Sequence, residues 1–486
     1  MSSVNEMLES MDYKNVLKYF TEISAVPRGS YNNQGISDYI VNFAKEHGLR
    51  YVQDEALNVI IYKDATKGYE NHEPVIIQGH MDMVCVKAED VSHDFTKEGI
   101  ELLVDGDYLH ANKTTLGGDD GIAVAFGLAL LADNTISHPA LEVLITTDEE
   151  TGMDGAKALD PSLLKGKYMI NVDSEDEGTV LVGCAGGLRL YGELPLKRIE
   201  ESGVEATITI GGLKGGHSGA EIHHYRTNAT LLLARVLMKL KEEFQFSLVS
   251  MFGGTKDNAI PSYAEAKLVL SMEQKNELID CIGKLEEMYK KELEGEEPNL
   301  YIKGSLGNET KAMVLHPTSF EKMLFLLIQA PNGVQVMSSN VEGLVESSLN
   351  LGIFEVQEEN AVFHFSIRSS VSSYKDYLRD KLIYLFDFLG AHSDANSEYP
   401  AWEYQKESPF RDMVSKVFEK EYGYEPKLLA IHAGLECGII SEKIPGIEIV
   451  SIGPDMKDIH TPKERLSISS SIRVYKFVEK LLEEMK

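Results

Sequence analysis

Gly79-His80-Met81-Asp82 directly follows the apolar run Pro74–Gln78 (PVIIQ). In extended chain, residues i and i+2 project to the same side, so His80 and Asp82 share a face. One can ligate a metal while the other fixes it from behind. A plain loop His–Asp hydrogen bond would use the same spacing. Four more clusters occupy comparable places. Leu116-Gly117-Gly118-Asp119-Asp120-Gly121 precedes an apolar run, where adjacent acids can also simply complement a helix dipole. Asp148-Glu149-Glu150 follows LEVLITT, and three successive carboxylates repel one another unless a cation or solvent relieves them. Asn171-Val172-Asp173 ends a further apolar run, and Asp458-Ile459-His460-Thr461-Pro462 follows Ile447–Ile452. Together they offer nitrogen and oxygen donors without cysteine, a set that suits zinc, manganese or cobalt. The carboxylates suffice to bridge two ions about 3.5–4 Å apart, as in two-metal hydrolases.

Such clusters need rigid elements to bring them together. The short Val/Ile-rich runs Asn58–Tyr62, Pro74–Gln78, Leu141–Thr146 and Tyr168–Asn171 read as buried strands. Asn5–Thr21 and Ser37–His47 have helical spacing of apolar residues. The run GIAVAFGLALLAD, apolar nearly all round, reads as a buried helix. This alternation predicts an α/β layer with a largely parallel central sheet, whose strand ends gather ligand sites. After Gly186–Gly187 the pattern changes. Glu205–Gly211 and Ala264–Met272 alternate polar and apolar, as half-buried antiparallel strands do, with helices over Asn228–Glu243 and about Lys275–Tyr289. A second strand–helix group ends with Val362–Ile367 and Tyr374–Leu389. Lys291–Pro298 reads as a solvated acidic turn and Gly390–Pro400 as polar and turn-rich, with a helix resuming at Phe410–Tyr422. The reading is one domain in two parts, residues 1–186 and 397–486, interrupted by an inserted α+β domain, 187–396.

The 486 residues carry 47 Lys+Arg against 77 Asp+Glu, a formal net charge of −30. That acidity argues against nucleic acid or anionic membrane as partner, because phosphate binding needs clustered Lys/Arg. The longest apolar stretch, Gly121–Ala132, is far short of the roughly 20 residues of a membrane span. The acidic, amphipathic N-terminus does not read as a signal peptide. Four scattered cysteines form neither a disulfide framework nor a zinc motif, and the expected location is cytoplasmic. Cys437 reads as packing, and His223 and His224 as surface or lid residues.

The ordered segments PRGSYNNQGISDY, QGHMDMVC, LGGDDGIAVA, TTDEETGMDGA, INVDSEDEG, GGHSG, GGTKDNAIP, IHAGLECG and SIGPDMKDIHTPKERLSI span nearly the whole chain. Here the sequence resembles the M20 family of metallopeptidases, and within it the aminoacyl-histidine (Xaa-His, β-alanyl-histidine) dipeptidases. The resemblance implies that His80, Asp119 and Asp173 hold one metal. Asp119, Glu150 and His460 would hold a second, with Asp119 bridging and a cis peptide following it. It implies Glu149 as general base, Asp82 as the group orienting His80, and His217 of GGHSG as an oxyanion stabiliser supplied to the neighbouring subunit of a homodimer. Asn258, Arg368 and Gly434 match positions that hold the substrate's free carboxylate. A guanidinium grips a carboxylate bidentately, which suits Arg368 to that task. The implied cofactor is two divalent ions, zinc first, with manganese or cobalt as alternatives. The implied reaction is hydrolysis of short peptides with a free C-terminal carboxylate, favouring Xaa-His, with residues 187–396 as lid and dimerisation domain closing on the catalytic parts, 1–186 and 397–486, to exclude water. A tripeptidase, a broad dipeptidase and an N-acyl-amino-acid amidohydrolase are the alternatives within the family, and a non-catalytic binding protein is the alternative outside it. Acids beyond Asp82, Asp119, Glu149, Glu150 and Asp173 read as solvated surface.

Overall fold

The computed structural model describes residues 14–486. Part of the expected first helix, residues 5–13, lies outside them, and its remainder is seen at Lys14–Ser24. Backbone contacts divide the chain into two compact units. One runs to Gly183 and adds Tyr404–Ala430 and Leu435–Lys486; the other is Cys184–Glu403 with Ile431–Gly434.

The first unit is built on an eight-stranded mixed sheet. Its four central neighbours, Leu141–Thr146, Val75–His80, Tyr168–Asn171 and Glu448–Ser451, are mutually parallel. The flanking pairs through Val59–Lys63 and Thr179–Cys184 are antiparallel. Parallel strands covered on both faces need near-continuous apolar runs, and VIIQGH and LEVLIT are buried at every position. The buried helix forms at Gly118–Ala132, and Gly79 lets it press on the strand Val75–His80, because a Cβ there would collide with Ala123 and Asp120. Because the central strands run the same way, their C-terminal ends meet at one edge. His80 lies opposite Thr146, and Asn171 opposite both Gln78 and Ser451. Every loop carrying a candidate ligand except those of Asp119 and His460 leaves from this edge.

The second unit is a nine-stranded sheet whose described pairings are antiparallel. Helices Ala229–Glu243, Lys275–Glu292, Pro317–Gln329 and Ser372–Leu389 accompany it. Asn228 starts the first of these by accepting from Thr230 N and Leu231 N, a side-chain N-cap. Two expectations need correction here. Gly390–Pro400 is not simply turn-rich: His392–Tyr399 is a strand antiparallel to Gly186–Pro195. An edge strand with one exposed side tolerates such a polar sequence, which hid it. In Lys291–Pro298 the helix persists to Glu292, and Glu297 is buried, accepting from Lys214 N (2.8 Å) and Thr227 N (3.1 Å).

Candidate metal centre and substrate-binding cluster

In the first unit the expected ligands converge. His80 Nε2 lies 3.1 Å from Asp119 Oδ1 and 3.9 Å from Asp173 Oδ1. His460 Nε2 lies 3.1 Å from Asp119 Oδ2 and 3.0 Å from Glu150 Oε1. Each oxygen of the Asp119 carboxylate thus faces a different histidine, as a bridging ligand must. Two ligand atoms each about 2.0–2.1 Å from a tetrahedral zinc stand about 3.3 Å apart, a spacing these distances bracket. The donor atoms of His80, Asp119 and Glu150 all lie within 4.8 Å of one another, and so do those of His80, Asp120 and Asp173. The Asp119–Asp120 peptide is cis, as the resemblance implies.

The sequence DEE looked self-repelling, and the loop resolves this by sending its carboxylates apart. Asp148, at φ +53°, turns its Oδ1 to Tyr31 N (2.6 Å) and Asn33 Nδ2 (2.7 Å). Glu149 donates its backbone N–H to Asp82 Oδ1 (3.1 Å), while Glu150 faces His460. Asp82 also accepts from Ser30 Oγ (2.8 Å) and lies 3.3 Å from His80 Nδ1. That arrangement holds the ring with Nε2 toward Asp119, the outer-shell device of metal histidines.

Charge in this centre is unbalanced. Burial, with Asp120 and Asp119 nearby, pushes the Asp173 carboxyl well above its ordinary range. Burial, reinforced by Asp119, does the same to Asp120. Burial raises Glu149 to about 8, with Glu436, Glu150 and Asp119 adding repulsion that His80 only partly offsets. His460 is raised to about 10 by its hydrogen bonds to Asp119 and Glu150. Carboxylates crowded beyond what two imidazoles can neutralise form a donor set that fits divalent cations. His80, Asp119 and Glu150 are candidate metal ligands.

The second unit assembles a different cluster. His217 Nδ1 accepts from Gly219 N (3.2 Å) and Ala220 N (3.0 Å), so the neutral ring carries its proton on Nε2 and can donate there. Burial and the Arg368 charge both lower its pKa, which keeps it neutral. Arg368 Nη1 donates to Tyr399 Oη (3.0 Å), and its Nε has no hydrogen-bond partner among the described residues. Gly219 fits between His217, the Arg368 Nε and the His432 carbonyl. Asn258 joins through its carbonyl, which accepts from Ser218 N (2.9 Å), and Gly434 lies against the Tyr399 ring. His432 contacts Ser348 Oγ at 2.7 Å and is lowered to about 3 by burial and Arg368. His223 and His224 are exposed, and Cys437 is buried.

Sequence reasoning missed several buried neighbours of the centre, and its view that the remaining acids are solvated fails at those positions. Asp120, Glu436 and Glu464 are buried, the first two completely. Glu436 accepts from Gln78 Nε2 and Thr146 Oγ1 at 2.6 Å each, and burial raises it to about 7. Arg28, only 2% exposed, sits behind His80–Asp82. All lie inside the motif segments, but buried charge leaves no periodic signal in a sequence. Among the described residues no helix is long and apolar enough to cross a membrane.

Comparison with known proteins agrees with this geometry. The chain is 39% identical over 469 residues to the cytosol non-specific dipeptidase of Escherichia coli K12, covering 96% of each chain. Its fold matches the crystal structure of aminoacylhistidine dipeptidase from Vibrio alginolyticus with a TM-score of 0.92 and 36% identity, over 99% of both chains. A tripeptidase from Staphylococcus aureus shares the fold alone, at 15% identity and a TM-score of 0.57 over 98% of this chain and 99% of that one. The family model for peptidase family M20/M25/M40 matches residues 76–484. With that span and the convergence of its strand-end ligands, the chain belongs to peptidase family M20/M25/M40.

Proposed function

We propose that this chain is a metal-dependent dipeptidase acting on short peptides with a free C-terminal carboxylate, Xaa-His among them. The observation that carries the reading is Asp119, with one oxygen toward His80 and the other toward His460. His80, Asp119 and Asp173 would hold one divalent ion and Asp119, Glu150 and His460 another, with zinc the first candidate. Bound there, such ions polarise a carbonyl and lower the pKa of water. Glu149 is an acid beside the ligands that neither set uses, and it is the one we assign as general base. It takes a proton from the attacking water and returns it to the leaving amine. Asp82 keeps the His80 ring in place throughout. His217, donating from Nε2, stabilises the oxygen that gains charge in the transition state. Arg368, with Asn258 and Gly434, grips the substrate carboxylate. We further propose a homodimer formed through the second unit, and a cytoplasmic location, the latter in keeping with the word cytosol in the name of the E. coli relative.

The two relatives with dipeptidase names differ in breadth, one non-specific and one for aminoacyl-histidine. A panel of β-Ala-His, Ala-His, Ala-Ala, a tripeptide and an acetylated amino acid, with and without chelator and zinc add-back, tests the reading. Turnover of dipeptides that chelator abolishes and zinc restores is the expected result. Hydrolysis of the tripeptide or the acetylated amino acid alone would overturn the substrate class.

A further inference from the structure

We propose that Arg28 and Glu464 are a positioning pair that fixes Asp119 between the two histidines and so sets the affinity for divalent cations. The inference rests on the metal reading above. Asp119 must present both oxygens in fixed directions, so its backbone has to be held, and the two residues before it are glycines, the least restricted of backbones. The two buried side chains hold this glycine segment by different groups, Glu464 by its amides and Arg28 by a carbonyl. Glu464, 3% exposed, accepts from Leu116 N (2.8 Å) and Gly117 N (3.2 Å) through one oxygen. Through the other it accepts from Gly118 N (2.8 Å) and Asp119 N (3.5 Å). Arg28 donates to the Gly117 carbonyl, and also to Met81 O (3.0 Å) and Asp82 O (3.3 Å).

The glycines of LGGDDG follow from this arrangement. Gly117 has φ +69°, and a Cβ there or at Gly121 would collide with the Arg28 guanidinium. At Gly118 a Cβ would come within 3.2 Å of a Glu464 oxygen. The pair also connects ligand segments that are distant in sequence. Arg28 ties the loop of Asp119 to the backbone beside His80. Glu464, whose N–H bonds Thr461 O (3.1 Å), ties it to the turn that carries His460. Neither side chain reaches toward substrate chemistry in this scheme; both act through Asp119.

The test is zinc binding to metal-free protein by chelator competition, in the wild type, Glu464→Gln, Arg28→Lys and Glu142→Gln. Glu142 is the matched control. It is a buried carboxylate of the same unit, near the opposite end of its strand, accepting from Lys165 N and Gly166 N. Loss of an outer-shell partner weakens metal binding by about 10- to 100-fold, the expected result for Glu464→Gln and Arg28→Lys. Their kcat should recover at saturating zinc with KM unchanged. Glu142→Gln should lower Tm and leave zinc affinity unchanged. Arg28→Lys supplies the answer if Glu464→Gln does not fold. Wild-type zinc affinity in both pair variants, or an equal loss in the control, would overturn the pair. A wild-type protein that binds no zinc would overturn the metal reading itself, and the pair with it.

Discussion

The two units solve opposite electrostatic problems. The first concentrates carboxylates at parallel strand ends and at the start of the buried helix, where burial raises Asp120, Glu149 and Asp173 and leaves the centre short of positive charge. The second gathers Arg368 with two histidines that burial and that same charge keep neutral, leaving it ready for an anion. One centre is a candidate for cations, and in the proposed function the other takes the substrate carboxylate. A peptide hydrolase needs both, because reaction requires a polarised carbonyl and substrate orientation requires a handle that does not react.

The sharpest way to break this contrast is Glu149→Gln. If Glu149 moves the proton, kcat should fall by about 10²- to 10⁴-fold, the usual worth of a general base. Zinc binding should stay unchanged, and titration against zinc alongside steady-state kinetics would separate the two. Next in size is Arg368→Met in the second unit. Removing a charge-assisted hydrogen bond of about 1.5–3 kcal/mol should raise KM by about 10- to 100-fold while zinc affinity holds. A fall in zinc affinity instead would mean that the two centres are not separate in function.

The pH response follows from the signs of the shifts. His460 is raised to about 10 and Glu149 to about 8, so the metal-free folded protein binds more protons than the unfolded chain. The His460 ion pair contributes fully below its unfolded value of about 6.5 and is lost as pH rises through 10. Glu149 acts in the same direction, costing stability increasingly from its unfolded value of about 4.3 up to 8. Metal-free stability should therefore decline from pH 6 to pH 9. The gain in Tm on adding zinc should grow over the same range, because cations displace those protons. Calorimetry at three pH values with and without zinc checks both trends. Tyr399→Phe should have the smallest effect. It removes one hydrogen bond to Arg368, worth about 0.5–1.5 kcal/mol, and should raise KM by only about 2- to 10-fold.

The same contrast explains what could be read from the sequence. Apolar runs such as VIIQ and LEVLIT encode both their strands and the polar residues that follow them, so the centre of the first unit was legible from its residues. Asp119 was legible as a candidate ligand through the family resemblance, but the groups holding it were not. Arg28 and Glu464 act on backbone atoms, and nothing in their residue types announces which amides or carbonyls they will meet. In the second unit His217 rested on family resemblance alone, and Arg368 on that resemblance with only the general fit of guanidinium to carboxylate beside it. The edge strand His392–Tyr399 was hidden by its polar composition, and with it the hydrogen bond from Arg368 to Tyr399.

The central claim is that Asp119 serves two cations, and anomalous scattering at the zinc edge from crystals of the zinc-loaded protein tests it most directly. The prediction is two peaks in the first unit, one beside Asp119 Oδ1 and His80, the other beside Asp119 Oδ2 and His460. A single peak, or two peaks with only one touching Asp119, would contradict it.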